Sequence, residues 1–314
     1  MIKKFMDSYD LCATMAKIES WFKAFRLRTL PLSFSTVILG SMLAVYKGGF
    51  QPAILIGTLT TTLFLQILSN LANDYGDYKN GIDNDNRLGP KRSVQSGEIT
   101  AKQMAVAIVI CAIFAFISGL WLLYEVSKKA DITIVLTFLV LGLLAIGAAI
   151  KYTVGKNPYG YIGLGDIAVF LFFGIVGVSG TYFLHTNQLE WRELLPAVSI
   201  GLLATGVLNL NNMRDIENDR NSNKRSLVVI MGLPKAKLYH GLLILGAIAS
   251  VLIYTFLEYH SPYQFLFLFA VPMLIQNMLV VFRSTRSSEF DGELKKLAIA
   301  TLIFAITTGL GLIY

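Results

Sequence analysis

Asparagine and aspartate recur at helical spacing in two stretches of this chain, NLANDYGDYKNGID (70–83) and NLNNMRDIENDR (209–220). Residues three and four apart share one face of a helix. Asn73 and Asp77 therefore point one way in the first stretch, as do Asn212, Asp215 and Asp219 in the second. Asp83 lies beyond Gly81 and has to be delivered by a loop that curls back. Like charges at this spacing repel, and a carboxylate below the lipid headgroups costs about 2.5–3.5 kcal/mol on insertion scales. A divalent cation removes both penalties. The donors are carboxylate and amide oxygens with no His or Cys among them. Such a set suits Mg2+ that shares its coordination with substrate phosphates, and argues against zinc or iron.

Cations flank both stretches. Arg87, Lys91 and Arg92 follow the first, Arg220, Lys224 and Arg225 follow or close the second, and KYTVGK (151–156) adds Lys151, Tyr152 and Lys156. Mg2+ would neutralise part of a diphosphate, and these side chains would stabilise it as a leaving group. The combination reads as a site for a lipid diphosphate. Lys79 and Lys102, beside the same membrane face, read as topology signals.

The elements that must position these groups are membrane helices. Of 314 residues, 54% are hydrophobic and 15% charged, and the mean hydropathy is +0.60, outside the range of soluble domains. About 20 apolar residues cross a bilayer core. Nine such runs are expected, near 30–46, 52–73, 103–125, 131–150, 160–184, 194–213, 238–257, 263–282 and 296–314. With the N-terminus inside, all but four of the 27 Lys and Arg fall on the inner side; the exceptions are Lys47, Lys128, Lys129 and Arg192. This is the pattern of the positive-inside rule. It places both acidic stretches at the cytoplasmic face of a cell membrane, read as a bacterial inner membrane. The net charge of +7 follows from topology and gives no case for a nucleic-acid partner.

Residues 1–28 carry six basic residues with Trp21 and Phe22 and lack a signal-peptide layout, so they read as an amphipathic segment on the membrane surface. Residues 29–314 then form a single transmembrane domain. Cys12 and Cys111 suggest neither a disulfide nor a metal site. Asn70-Leu71-x-Asn73 matches Asn209-Leu210-x-Asn212, which points to two related four-helix halves plus a ninth helix around a central cavity. Asp166, an acid early in the fifth span, is a candidate for binding the aromatic substrate or for active-site structure. His185, His240 and His260 read as structural. Aromatics such as Phe170, Phe172, Phe173, Tyr182 and Phe267 read as packing or lipid contacts first, with shielding of a carbocation or lining of a prenyl tunnel as the alternative.

On the motifs Asn73-x3-Asp77-x5-Asp83 and Asn212-x2-Asp215-x3-Asp219, the whole chain resembles the UbiA superfamily of intramembrane prenyltransferases. RLRTLP (26–31), NLANDYGDYKNGID, RLGPKRSVQSGEIT (87–100), YIGLGDIAVFLFFG (161–174) and NNMRDIENDR (211–220) resemble its menaquinone branch, the 1,4-dihydroxy-2-naphthoate polyprenyltransferases. Gly81 stands where the 4-hydroxybenzoate branch usually has the last Asp of its first motif, and Asp83 takes over that role. YTVGK departs from the more usual YTGG of the menaquinone branch.

The resemblance implies a nine-helix bundle in which Asn73, Asp77, Asp83, Asp215 and Asp219 hold Mg2+ and a polyprenyl diphosphate. The C–O bond opens to an allylic cation, the naphthoate ring attacks at the carbon bearing its carboxylate, and CO2 leaves to give demethylmenaquinone. Other acceptors, 4-hydroxybenzoate or homogentisate, belong to the same chemistry. A CDP-alcohol phosphotransferase would carry a D-x2-D-G-x2-A-R-type run, which is absent. A cation transporter would not need the crowded basic residues.

Overall fold

In a computed structural model the protein is described over residues 18–84 and 88–314, and among these it is all helical, with no strand. Among the described residues, nine helices are long and apolar enough to cross a membrane, the first of them counted over Ile18–Tyr46. They are α1 (Leu30–Tyr46), α2 (Pro52–Lys79), α3 (Ala101–Ser127), α4 (Ile132–Lys151), α5 (Gly165–Thr186), α6 (Trp191–Arg214), α7 (Leu233–Leu257), α8 (Pro262–Arg283) and α9 (Ser287–Ile313). The expectation of nine spans holds. A short helix over 18–25 precedes α1, broken from it by Arg26 at φ 49°. Of the segment 1–28, residues 1–17 lie outside the described residues, Cys12 among them.

Local chemistry sets the helix ends. Pro31, Pro52 and Pro234 stand in the first turns of α1, α2 and α7, where a missing N–H costs nothing. α3 opens on a capping box in which Thr100 accepts from the Gln103 N–H and Gln103 accepts from the Thr100 N–H, so two otherwise orphaned donors are satisfied. α5 is wound as a π-helix over Phe170–Gly180.

Among the described residues, two apolar clusters do most to hold the bundle, with two minor ones around Ile54 and Leu32. The larger gathers α1 and α5 to α9 around Phe267, Phe290 and Phe304, all fully buried. The smaller joins α2, α3 and the segment between them through Leu68, Leu71, Ile99 and Met104. α4 has no buried residue along its length and meets the rest through half-buried side chains, Ile146, Ala149 and Ile150 against the cluster of α2 and α3.

At the end of the bundle where α1 finishes, Lys47 pairs with Glu193 and Glu258, each at 3.2 Å, and Arg192 pairs with Glu258 at 2.6 Å. These pairs tie the loops before α2 and α8 to the first turn of α6. His185, buried in the same region, contacts Ser41 at 3.0 Å, and His260 stacks on Tyr46. His240 contacts Asn277 at 3.0 Å within the bundle. None of the three stands at the acidic stretches, which lie at the opposite end.

Candidate functional site

α2 carries its polar face to the end of the bundle. A side chain at position 76 would put its Cβ 2.5 Å from the Thr153 carbonyl oxygen, so only glycine lets the loop after α4 lie against α2 there. Thr153 uses that closeness to donate to the Ala72 carbonyl at 3.0 Å and to Asn73 Oδ1 at 3.2 Å. The helix stops at Gly81, φ 70°. The Ile82 N–H returns to the Asp77 carbonyl at 2.9 Å and the Gly81 N–H to Tyr78 at 3.2 Å, the paired bonds of a glycine-terminated helix end. That turn is the loop that delivers Asp83 back toward Asp77.

Arg92 fills the space between them. Its Nη1 lies 2.7 Å from Asp77 Oδ2 and 3.3 Å from Asp74 Oδ1, and its Nε lies 3.2 Å from Asp83 Oδ1. Arg26 also pairs with Asp74. Burial acts to lower the proton affinity of Arg92; Asp77, Asp74, Asp83 and more distant Asp215 outweigh it and hold the guanidinium above its ordinary range. Charge from the second stretch is thus felt at the first.

In the second stretch α6 ends at Arg214 and a short helix, Ile216–Asn221, follows after Asp215. The Asp219 N–H reaches the Asp215 carbonyl at 2.8 Å, keeping both acids at helical spacing. Arg214 grips Asp215 through both oxygens, Nε at 2.9 Å and Nη2 at 2.7 Å, and reaches Asp291 at 2.6 Å. Lys224 pairs with Asp219 at 3.1 Å. Burial pushes the Asp219 carboxyl up against the opposing pull of Lys224.

The two stretches meet. Asn218 Nδ2 donates to the Ile82 carbonyl at 2.9 Å. Tyr161 donates from its hydroxyl to Asp77 Oδ1 at 2.5 Å, accepts the Arg225 N–H on its carbonyl at 2.9 Å, and carries Lys224 Nζ over its ring at 5.8 Å. Burial, then the charge of Asp77, raises the Tyr161 hydroxyl above its ordinary range.

A cavity of about 480 Å³ opens from this junction into the bundle, with Asn73, Asp77, Arg92, Tyr152, Asn212 and Lys224 in its polar wall. It continues along α2 as far as Thr58, a run of about 28 Å at 1.5 Å per residue. Leu120, Leu123, Phe138, Phe172 and Phe173 are among the apolar residues that line it.

The structure sorts the expected residues. Asn73, Asp77, Arg92, Tyr152, Asn212 and Lys224 line the cavity. Asp83, Asp215 and Asp219 stand behind that lining, buried and paired with Arg92, Arg214 and Lys224. Lys91, Lys151, Lys156, Arg220 and Arg225 are exposed and do not line it; Lys151 donates to the Lys156 carbonyl at 2.6 Å, and Arg220 lies 3.6 Å from Glu217. Asp166 is buried beside Tyr239, also outside the lining. Arg87 lies outside the described residues.

Residue spacing missed Asp74, Arg26, Arg214 and Tyr161. Asp74 was visible in the first stretch: it lies three residues before Asp77, a spacing that shares a face, and the motif Asn73-x3-Asp77 passed over it.

Among the described residues, no three His, Cys, Asp or Glu side chains converge closely enough to hold a metal ion. The donor set still fits one. Every donor at the junction is an oxygen of the kind Mg2+ takes, and the carboxylates of Asp74, Asp77 and Asp83 already serve a single positive centre, the Arg92 guanidinium.

Comparison with known proteins gives a consistent result. The UbiA prenyltransferase family matches residues 33–308. The chain is 39% identical over 302 residues to a 1,4-dihydroxy-2-naphthoate octaprenyltransferase of Haemophilus influenzae, covering 95% of this chain and 96% of that one. It is 43% identical over 270 residues to the Escherichia coli protein of the same name, covering 86% and 87%. Its fold resembles that of a UbiA homolog from Archaeoglobus fulgidus bound to GPP and Mg2+, with a TM-score of 0.60 at 13% identity, covering 92% of this chain and 99% of that one.

Proposed function

The chain belongs to the UbiA prenyltransferase family, and from that footing we propose that it transfers a polyprenyl group from an allylic diphosphate to 1,4-dihydroxy-2-naphthoate. The observation that carries this is the meeting of both acidic stretches, through Asn218–Ile82 and the Lys224–Tyr161–Asp77 contacts, at the mouth of a long apolar cavity. The names of the Haemophilus influenzae and Escherichia coli relatives support the acceptor.

Bound among Asn73, Asp77, Asp83, Asp215 and Asp219, Mg2+ would supply charge neutralisation of the diphosphate. The side chains do the rest. Arg92 and Lys224 donate to the oxygens that gain charge as the allylic C–O bond breaks and its electron pair leaves with the diphosphate. The apolar walls keep water from the allylic cation and hold the prenyl chain extended. The ring carbon bearing the carboxylate attacks that cation. Loss of CO2 returns the C–C electron pair to the ring and restores aromaticity, giving the reduced form of demethylmenaquinone without a base at that carbon. Tyr152, in the wall of the same cavity, is placed to contact the acceptor.

The test offers the purified protein 1,4-dihydroxy-2-naphthoate, 4-hydroxybenzoate and homogentisate in parallel with a prenyl diphosphate and identifies products by mass. Only the naphthoate should be prenylated with loss of CO2; a product from another acceptor alone overturns the assignment. Excess EDTA should abolish turnover and Mg2+ restore it, and full activity in EDTA would remove the metal from the reading.

The bundle is a multi-pass membrane protein, and we place its site at the cytoplasmic face of a bacterial inner membrane. Residues 18–28, with Ile18 and Phe22 exposed, continue the proposed surface-lying segment 1–28 ahead of the membrane domain. Cysteines introduced at exposed positions of the loops that hold Asp83, Lys156, Arg220 and Glu289, such as Lys91 for the first, should all be labelled from the cytoplasmic side. Any one of them reached only from outside contradicts this topology.

A further inference from the structure

The Arg92 guanidinium is buried and reaches three carboxylates at once, those of Asp77, Asp83 and Asp74. Its backbone is fixed independently of those contacts. The Arg92 carbonyl accepts the Ser96 N–H at 2.9 Å, the Ser93 carbonyl accepts the Ile99 N–H at 3.0 Å, and the Ser93 hydroxyl is tied to the Ser20 carbonyl at 3.0 Å. Val94 and Ile99 pack into the apolar cluster of α2 and α3. Anything that removes Arg92 from the acids must therefore swing its side chain and leave the turn in place. The cavity beside it is where that side chain can go, since Arg92 already lines its wall.

A divalent ion on Asp77 and Asp83 would take the same oxygens that the guanidinium now faces, and two cations on one set of oxygens repel. We propose that Arg92 is a tethered counterion. It occupies the first acidic cluster in the metal-free protein and yields those carboxylates only when a diphosphate offers it oxygens of its own. A planar fork with five donors suits both partners, carboxylate and phosphate. The inference rests on the prenyl-diphosphate reading of the site. Its consequence is that the metal alone binds poorly and enters together with the diphosphate, so the acids are never left without positive charge.

The experiment is equilibrium dialysis of the detergent-solubilised full chain against buffered free Mn2+, with and without inorganic pyrophosphate. The proteins are the wild type, Arg92→Gln, Arg92→Lys and, as a control for total charge, Lys102→Gln. If the guanidinium blocks the site, Arg92→Gln binds Mn2+ alone about ten-fold or more tightly than the wild type, and pyrophosphate then adds correspondingly less, because the coupling is reciprocal. Arg92→Lys falls between, since an ammonium is a point charge that cannot span three carboxylates. Lys102→Gln stays within about two-fold, its exposed charge being screened.

Equal Mn2+ affinity in wild type and Arg92→Gln overturns the counterion role. If pyrophosphate still raises Mn2+ binding in both, the diphosphate site itself survives that result. Pyrophosphate that raises Mn2+ binding in neither protein is the failure of the site reading, and the counterion role falls with it. Should Arg92→Gln not fold in metal-free buffer, Arg92→Lys carries the comparison, and wild-type affinity for Mn2+ alone in that variant overturns the proposal.

Discussion

Asp77→Ala and Asp219→Ala each lower turnover by at least about 10²–10³-fold, the scale of losing a preorganised charge-stabilising group, while the protein still inserts and melts cooperatively. Asp77 is shared by Arg92 and Tyr161 and lines the cavity; Asp219 lies across the junction with Lys224. The fold survives because each loss leaves the neighbouring cation other acids: Asp74 and Asp83 for Arg92, Asp77 and Asp215 for Lys224. Residues that act as a unit are non-additive, so the double variant should be hardly worse than either single one. Prenyl transfer read by product mass, with melting transitions alongside, decides it. Two single variants that keep substantial activity, with losses that multiply in the double, would make the stretches separate features.

The second large effect is on stability. Arg214→Met should cost about 3–5 kcal/mol, the range for removing one partner of a buried ion pair. Arg214 is buried and gives both oxygens of Asp215 their guanidinium, while reaching Asn211 and, across to α9, Asp291. The methionine fills similar volume, so the loss is electrostatic and the melting temperature in detergent should fall sharply. Asp291→Asn removes only the half-exposed end of the network and should shift it far less. A melting temperature for Arg214→Met at the wild-type value would show that Asp215 is satisfied without it.

The nine spans were legible because lipid leaves a chain few ways to satisfy its backbone, and long apolar helices are one of them. Their ends at the site were not. The apolar run read as 52–73 is a helix to Lys79, the run at 238 begins at Leu233, and the run at 296 begins at Ser287. In each case the helix continues past the point where hydropathy falls. Its polar last turns are paired inside the protein, as Asp77 is with Arg92 and Tyr161, and hydropathy registers their composition but not their partners.

The acids were legible from spacing for the same reason that helices are. The cations were not, because whether Arg92 or Lys91 faces Asp77 depends on the turn over 92–97. Arg214 looked like one more topology charge. Nothing local in the sequence distinguishes a guanidinium that grips the adjacent Asp215 from one that faces water.

α4 has no buried residue, yet Phe138, Leu139 and Leu143 on it line the cavity. It is a wall one helix thick, with half-buried side chains where a core would have buried ones. Phe138 stacked on Phe183 holds it near its start, and Ile146, Ala149 and Ile150 hold it near its end against the cluster of α2 and α3. Such a wall is compliant along its middle. Displacing it by an ångström or two exchanges one hydrocarbon contact for another and leaves Phe267, Phe290 and Phe304 untouched. The charged end, where Arg92, Arg214 and Lys224 pair with the acids, is anchored to the end of α4 through Thr153, which donates to Ala72 and Asn73. Cavity contents of different bulk can then be accommodated along the middle of that wall, away from its anchored end.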